Sequence, residues 1–381
     1  MRIYTIAAIA GAAATALVTL PALLLARRLD AGAFRVKDPE TPSQLDLQVT
    51  AIGDETITLR RGSKSPSIQP DAPGRYLLEG ARGRGFIGRV IESNEVIAIR
   101  EYRHFDGVTR AGDYARLDGY AFPDDPEAAH GYQFEDIRFS SPLGEFPAWY
   151  VPGKTETWAV LTHGKGADRR EALRILPALV DSGFHCLAIT YRNDAECAPA
   201  PGNRYAYGRD EWEELDGAVA YALAHGARDV VLVGYSMGGG ITYSFMANSS
   251  HAGSVSALIL DAPMSNLQET VTFGARLAGI PLRFLPVSNA VSAFVYRFRW
   301  SDFDYLKTLD ALRVPVLLFH GDADTTIPVE LSDTVAAARS DLVRYVRVPG
   351  AGHVRAWNVE PETYIATVRE FIKTRRSVGA Q

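Results

Sequence analysis

A serine stands between two glycines in the segment DVVLVGYSMGGG. An apolar run leads into Gly234-Tyr235-Ser236-Met237-Gly238, and the helix-compatible stretch ITYSFMA follows. A G-x-S-x-G pattern between a strand and a helix places the serine on a very tight turn at the helix N-terminus. Such a turn leaves no room for Cβ atoms two residues to either side, which explains the glycines. We therefore predict that Ser236 is a nucleophile and that Gly234 and Gly238 form its elbow.

Two loops further along the chain carry partners for this serine. The segment HGDADTTIP follows the apolar run VPVLLF and contains Asp322 and Asp324, and PGAGHV follows LVRYVRV and contains His353. A serine hydroxyl needs a base to take its proton, and the base needs an acid to fix its tautomer. With this elbow the acid precedes the histidine in the chain. We predict that His353 is the general base, that Asp324 orients it, and that Asp322 caps the turn.

The developing oxyanion needs two hydrogen-bond donors, for which the sequence offers two loops. One donor is the backbone N–H of Met237, directly after the nucleophile. The other is expected from the loop LTHGKGADR, where the N–H of Lys165 is the first candidate and that of Gly164 the alternative. Two further histidines, His163 and His320, stand at strand ends beside glycine, and we expect them to make structural hydrogen bonds.

The elements that position these loops alternate between short apolar strands and helical stretches from residue 131 onward. Eight strands are predicted, in the segments QFEDIRFS, FPAWYV, TWAVLTHG, FHCLAIT, DVVLVGYS, VSALILDAP, VPVLLFHG and LVRYVRV. The later runs are almost wholly apolar, as is typical of strands covered on both faces by helices. The alternation predicts one domain over 131–375, of the α/β class, with a doubly wound and mostly parallel sheet.

An aromatic-rich interval over 264–313 interrupts this rhythm. It is too long for an ordinary connection and too apolar for a linker. One interpretation is a helical cap that lies over a pocket. The other is a crossover helix whose aromatic side chains face the core, and the sequence does not decide between them.

Residues 31–130 precede this domain and have a different pattern. Short, partly alternating runs such as LDLQVTAI, ETITLRR and EVIAIREYR are separated by Gly, Asp, Ser and Pro. This predicts a small β-rich region, followed by a surface loop at DGYAFPDDPEAAHG. No catalytic group of residues is recognised in it.

The first residues of the chain predict a membrane segment. The run from Ile3 to Ala26 contains no charged residue, and Arg2, Arg27 and Arg28 flank it. A run of this length can cross a bilayer as a helix. We expect residues 1–28 to form a single-pass N-terminal anchor, with a cleaved signal peptide and secretion as the alternative. The side of the membrane on which the remaining chain lies stays open.

The composition excludes several classes of protein. Hydrophobic residues make up 47% and charged residues 22%, which is typical of a folded chain. No basic stripe or zinc-finger spacing occurs, so nucleic acid is not an expected partner. The two cysteines, Cys186 and Cys197, do not form a metal-ligand motif with other Cys or His residues, and we predict no metal site. The sequence does not decide whether these two cysteines form a disulfide.

On these residues the chain resembles the α/β-hydrolase superfamily, over about 131–375. The segments LTHGKGADR, ITYRND, GYSMGG, HGDADTTIP and GAGH are similar to those of membrane-anchored, prolyl-oligopeptidase-like and monoacylglycerol-lipase-like serine hydrolases. The resemblance implies the strand order 1-2-4-3-5-6-7-8 with the second strand antiparallel. It also implies acyl-enzyme chemistry without metal or cofactor. The region 31–130 lies outside the resemblance.

Together these features predict a serine hydrolase that acts on carboxylic esters. The aromatic interval and the expected anchor favour an apolar acyl substrate, such as a lipid. A peptidase, amidase or acyltransferase would use the same three residues and remains an alternative. A binding module without catalysis would normally have lost one of them, so this class is disfavoured.

Overall fold

The computed structural model describes residues 23–36, 44–62 and 68–378. Their strands form two separate sheets, a closed barrel and an eight-stranded sheet. The barrel strands are β1 Leu47–Ile52, β2 Thr56–Arg61, β3 Tyr76–Gly80, β4 Gly83–Ser93, β5 Ile97–Gly107 and β6 Tyr114–Asp118. The strands of the second sheet are β7 Glu135–Ser141, β8 Gly144–Val151, β9 Thr157–Thr162, β10 His185–Ile189, β11 Asp229–Tyr235, β12 Val255–Asp261, β13 Val316–Gly321 and β14 Val343–Val348.

The barrel lies within the region predicted to be β-rich. Its strand order is β1-β2-β5-β4-β3-β6, and β6 closes it by pairing with β1 and β3. Alternate side chains, such as Leu47, Val49, Ile57 and Leu59, fill its interior. The sequence pattern predicted β1 to β5 but missed β6. A helix, Pro126–His130, occupies part of the segment that was expected to be a loop.

The eight-stranded sheet has the order β14-β13-β12-β11-β9-β10-β8-β7. The strand β8 runs antiparallel to both of its neighbours, whereas β9 to β14 are parallel. Numbered from β7, this is the order 1-2-4-3-5-6-7-8, so the expected doubly wound α/β-hydrolase sheet is confirmed.

Both faces of this sheet are covered, which explains the uninterrupted apolar runs. In β9, for example, Val160 belongs to the core on one face and Leu161 to the core on the other. The described helices around the two sheets are Pro126–His130, Leu176–Asp181, Trp212–Ala224, Met237–Asn248, Leu267–Leu277, Leu285–Tyr296, Glu330–Ala338, Ala356–Val359 and Pro361–Val378. Because neighbouring parallel strands end at one edge, their loops meet there.

The interval 264–313 contains the helices Leu267–Leu277 and Leu285–Tyr296 and short 3₁₀ turns. The chain also begins its described part as a helix over 23–29, which ends in a π-helical turn, Asp30–Phe34. The predicted membrane segment falls mainly on residues that the structure does not describe. Within the described ranges, no helix has the length and apolar character needed to cross a bilayer.

Candidate active site

Ser236 occupies the turn between strand β11 and the helix Met237–Asn248. Its backbone has φ = 50° and ψ = −115°, a conformation that costs energy for a residue with a Cβ atom. The Ser236 N–H donates to the carbonyl oxygen of Asp261, 3.0 Å away, at the end of neighbouring strand β12. The turn is thus fixed to the sheet, with the serine at the helix N-terminus.

The two elbow glycines are required by close backbone contacts. A Cβ atom on Gly238 would lie 2.2 Å from the carbonyl oxygen of Thr162, which ends strand β9. A Cβ atom on Gly234 would lie 2.7 Å from the Gly238 oxygen. Both distances are shorter than any van der Waals contact permits. The tight turn predicted from the spacing therefore has the expected steric basis.

The structure brings the three predicted catalytic side chains together. The Nε2 atom of His353 lies 2.8 Å from Ser236 Oγ, and its Nδ1 atom lies 2.7 Å from Asp324 Oδ2. Because an ionised carboxylate only accepts, Nδ1 donates to it and Nε2 is left to accept the serine hydroxyl proton. This is the geometry by which a histidine can act as general base toward a serine.

Asp324 is buried and accepts four hydrogen bonds. Its Oδ1 accepts from the N–H groups of Thr326 and Ile327 at 2.7 and 3.0 Å. Its Oδ2 accepts from His353 and, at 3.1 Å, from Nε2 of His320. Burial by itself raises the pKa of this carboxyl, but the hydrogen bonds from the two histidines outweigh it and hold the pKa well below its usual range.

The neighbouring acid, Asp322, makes a different contact. Its Oδ1 accepts the N–H of Gly350 at 2.7 Å, in the loop that carries His353. Asp322 therefore accepts a backbone N–H, but this contact joins its loop to the loop of His353, whereas the sequence predicted a cap within its own turn.

The two predicted oxyanion donors belong to residues that line one cavity with Ser236 and His353. Met237 begins the helix behind the serine, and Lys165 lies in the loop after β9. The alternative donor, the Gly164 N–H, already donates a hydrogen bond to the Glu171 carboxylate at 2.7 Å. This contact favours Lys165 over Gly164 as the second donor.

The cavity at Ser236 has a volume of about 670 Å³, within the range of small-molecule sites. Its walls come from the N-terminal segment, the interval 264–313 and the loop after β13. The lining side chains are mostly apolar and include Leu25, Leu29, Met264, Leu267, Val271, Ile280, Leu285 and Ile327. Two basic residues, Arg28 and Lys165, also line the cavity.

Comparison with known proteins identifies the family of this chain. A family model described as the alpha/beta hydrolase family matches residues 159–367, more than half of the 381-residue chain. The chain belongs to the alpha/beta hydrolase family. The matched stretch contains the nucleophile elbow, the acid loop and the histidine loop.

Several relatives of this alpha/beta hydrolase are distant. Uncharacterized protein Rv2307c of Mycobacterium tuberculosis is 25% identical over 240 residues, which are 61% of this chain and 76% of that protein. Protein ABHD12B of Homo sapiens is 24% identical over 236 residues, 57% of this chain and 61% of that one. Among solved structures, the Pyrococcus furiosus esterase Pf2001 superposes with a TM-score of 0.54 at 18% identity, over 66% of this chain and 97% of its own. This likeness shows a shared fold.

The histidine beside the predicted oxyanion loop, His163, is held by two acceptors. Its Nε2 lies 2.8 Å from Asp194 Oδ2, and its Nδ1 lies 2.9 Å from the Gly164 oxygen. Burial alone would lower the pKa of His163, but the Asp194 carboxylate overcomes it and raises the pKa to about 9. In this alpha/beta hydrolase, His163 is thus a charged structural group that fixes the loop of Lys165.

The N-terminal segment is tied to the catalytic domain at several points. Lys165 Nζ donates to the Gly32 oxygen at 2.8 Å, and the Tyr207 hydroxyl donates to the Ala33 oxygen at 2.7 Å. Asp30 pairs with Arg204 at 2.6 Å. The ring of Phe34 packs against those of Tyr207, Phe298, Trp300 and Phe303. These contacts make the segment a fixed wall of the cavity.

Three features of the site were not predicted. His320 shares the Asp324 oxygen that holds His353, Glu171 takes the Gly164 N–H, and residues 25–33 line the cavity. The contact between His320 and Asp324 could have been predicted, because His320 precedes Asp324 by only four residues. No local pattern in the sequence indicates the other two. Both cysteines have free thiols, and the described residues contain no group of ligands that suits a metal ion.

Proposed function

We propose that this alpha/beta hydrolase is a serine esterase that cleaves carboxylic esters with an apolar acyl chain. The observation that supports the proposal most strongly is the hydrogen-bonded series Ser236–His353–Asp324 at the wall of a largely apolar cavity. An activated serine, a base with a fixed tautomer and space for an acyl chain are the parts that ester hydrolysis requires.

In the proposed reaction, Ser236 Oγ attacks the ester carbonyl carbon while His353 Nε2 takes the hydroxyl proton. The tetrahedral intermediate collapses, the carbon–oxygen bond to the alcohol breaks, and His353 gives its proton to the leaving alkoxide. Water then attacks the acyl-enzyme and passes a proton to His353. Release of the acid returns this proton to Ser236. The Asp324 carboxylate stabilises the imidazolium at each step.

The negative charge of both tetrahedral intermediates needs donors that are already in place. We assign these to the backbone N–H groups of Met237 and Lys165. The first lies at a helix N-terminus, where the macrodipole favours an anion. The second belongs to the loop after β9, which Glu171 and His163 fix through hydrogen bonds to the backbone of Gly164.

We further propose that the run from Ile3 to Ala26 anchors the protein in a membrane. The helix over 23–29 leads from the end of this run to the wall of the cavity, since Leu25 and Leu29 line it. A membrane ester or lipid is therefore the substrate class that this arrangement favours.

Hydrolysis of nitrophenyl acetate, octanoate and laurate by the full chain in detergent tests the ester proposal. We expect kcat/KM to rise with acyl length because the cavity buries more apolar surface. The Ser236→Ala variant should lose activity by at least about 10⁴-fold. Ser249→Ala, at a half-buried serine beyond the same helix, is the control and should retain it. Preference for an aminoacyl anilide over all three esters would contradict the proposal and favour a peptidase.

A further inference from the structure

The helix Leu285–Tyr296 buries three polar side chains and exposes two large apolar ones. Ser288, Asn289 and Ser292 are buried, and the side-chain oxygens of all three lack hydrogen-bond partners among the described residues. Phe294, on the opposite side, is 85% exposed, and Val295, next to the C-terminal end of the helix, is 52% exposed. A helix on the surface of a protein in water shows the reverse pattern. The outer environment of this helix is therefore expected to be apolar.

Neighbouring segments expose further large apolar side chains. Leu277 ends the preceding helix, Leu282 lies on the connection between the two helices, and Leu23 and Leu24 lie on the N-terminal helical segment. The two segments are adjacent, because Leu25 and Leu285 line the same cavity. We call the side chains of Leu23, Leu24, Leu277, Leu282, Phe294 and Val295 the cap face. Apolar exposure of this extent marks a surface that meets a partner.

The segment from residue 270 to residue 300, which carries four of the six cap-face side chains, is basic. From residue 270 to residue 300 the sequence contains four arginines and no acidic residue, although the whole chain carries a net charge of −5. Arg276, Arg283, Arg297 and Arg299 are exposed. On the N-terminal segment, Arg27 and Arg28 are exposed as well. A mixture of exposed apolar side chains and arginines suits an interface with anionic headgroups.

The position of the predicted membrane anchor selects one partner for this face. The run from Ile3 ends at Ala26, and Leu23 and Leu24 of the cap face belong to the last turns of that run. Arg204 links this segment to the C-terminal end of the helix Leu285–Tyr296. It pairs with Asp30, and its guanidinium stacks on the ring of Tyr296 at 4.7 Å. A bilayer that holds the anchor would therefore lie against the cap face.

We propose that the cap face docks on the surface of an anionic lipid bilayer. Docking would set the apolar side chains among the upper acyl chains and the arginines among the headgroups. The mouth of the cavity at Ser236 would then face the lipid, so that an apolar ester could enter without crossing water. The docking itself does not depend on catalysis, and it can be tested with the Ser236→Ala protein.

The test measures contact between the cap face and lipid directly. The full-length Ser236→Ala, Cys197→Ser protein carries a single new cysteine, Phe294→Cys, labelled with a bimane fluorophore. It is reconstituted in vesicles of phosphatidylcholine and phosphatidylglycerol that contain lipids brominated high on the acyl chain. Bromine quenches bimane only at contact, and we expect the label at position 294 to lose most of its fluorescence.

Glu156→Cys provides the matched control label. Glu156 is exposed and lies just before β9, at the end of the strands opposite Ser236. Its label should be quenched little. Equal quenching at both positions would overturn the proposal. So would an unquenched label at position 294. The unlabelled Phe294→Cys protein would then show whether a disulfide-linked dimer forms through this cysteine, in which case a second copy of the chain covers the face.

The contribution of charge is tested with Arg276→Glu combined with Arg283→Glu. With phosphatidylglycerol present, we expect quenching at position 294 to fall, since each arginine contributes roughly fivefold to binding at an anionic surface. In vesicles of phosphatidylcholine alone, the label at position 294 should be quenched equally in this variant and in the protein that keeps both arginines. The control, Arg228→Glu combined with Arg313→Glu, changes the net charge equally away from the cap face and should leave quenching unchanged. An effect of equal size in both pairs would contradict docking through these arginines.

Discussion

At the scale of single residues, Asp324 and Asp322 differ in what they accept. Asp324 receives two backbone N–H groups and two histidines, whereas Asp322 receives the N–H of Gly350. The sequence placed Asp324 first because of its position deeper in the loop. It did not predict the second histidine, since the contact depends on how the turn after β13 folds back toward His320.

We expect Asp324→Asn to lower kcat by about 10⁴-fold, because an amide can no longer hold the His353 tautomer that accepts from serine. Asp322→Asn is the matched control in the same loop and should change kcat by less than about tenfold, with its effect limited to stability. Turnover of a nitrophenyl ester by both variants measures this. A larger loss in the Asp322 variant would reverse the assignment of the acid.

At the scale of elements, the sheet was predictable and the barrel only in part. Strands β9 to β13 are marked by apolar runs because both of their faces are buried. The short strand β6 has no such run, and its place is set by pairing with β1 and β3, which are distant in sequence. The sequence analysis therefore missed the closure of the barrel, whereas it predicted all eight strands of the second sheet.

The loop after β9 contains a charge that should make stability depend on pH. The pKa of His163 is about 9 in the folded protein against an ordinary 6.5, so the folded state favours the charged form. The resulting stabilisation is fully present below about pH 6.5 and is lost as pH rises through 9. It amounts to at most about 3.4 kcal/mol, from about 1.36 kcal/mol for each of the roughly 2.5 pH units between the two pKa values.

Thermal unfolding of the detergent-solubilised full chain can measure this effect. Between about pH 6.5 and pH 9.5, the midpoint of the wild-type protein should fall further than that of His163→Gln, which lacks the titrating group. Parallel curves for the two proteins over this range would show that His163 is not the charged partner of Asp194.

At the scale of the whole molecule, the cavity joins parts of the chain that are far apart in sequence. Gly32 and Lys165, 133 residues apart, are hydrogen-bonded across its edge. The N-terminal segment, the two helices of 264–313 and the loops of the sheet each supply one wall. The sequence predicted that Ser236, Asp324 and His353 would lie together, because each sits in a local motif. It did not predict the walls, since those depend on long-range packing.

The central claim, that Ser236 is the nucleophile, is tested most directly by mapping a covalent adduct. A membrane fraction that contains the full chain is treated with a fluorophosphonate, and the protein is digested and analysed by mass spectrometry. We expect one adduct, on the peptide that contains Ser236. We expect no labelling of Ser236→Ala or of wild-type protein that has been unfolded beforehand. An adduct on another residue, or undiminished labelling of Ser236→Ala, would contradict the central claim.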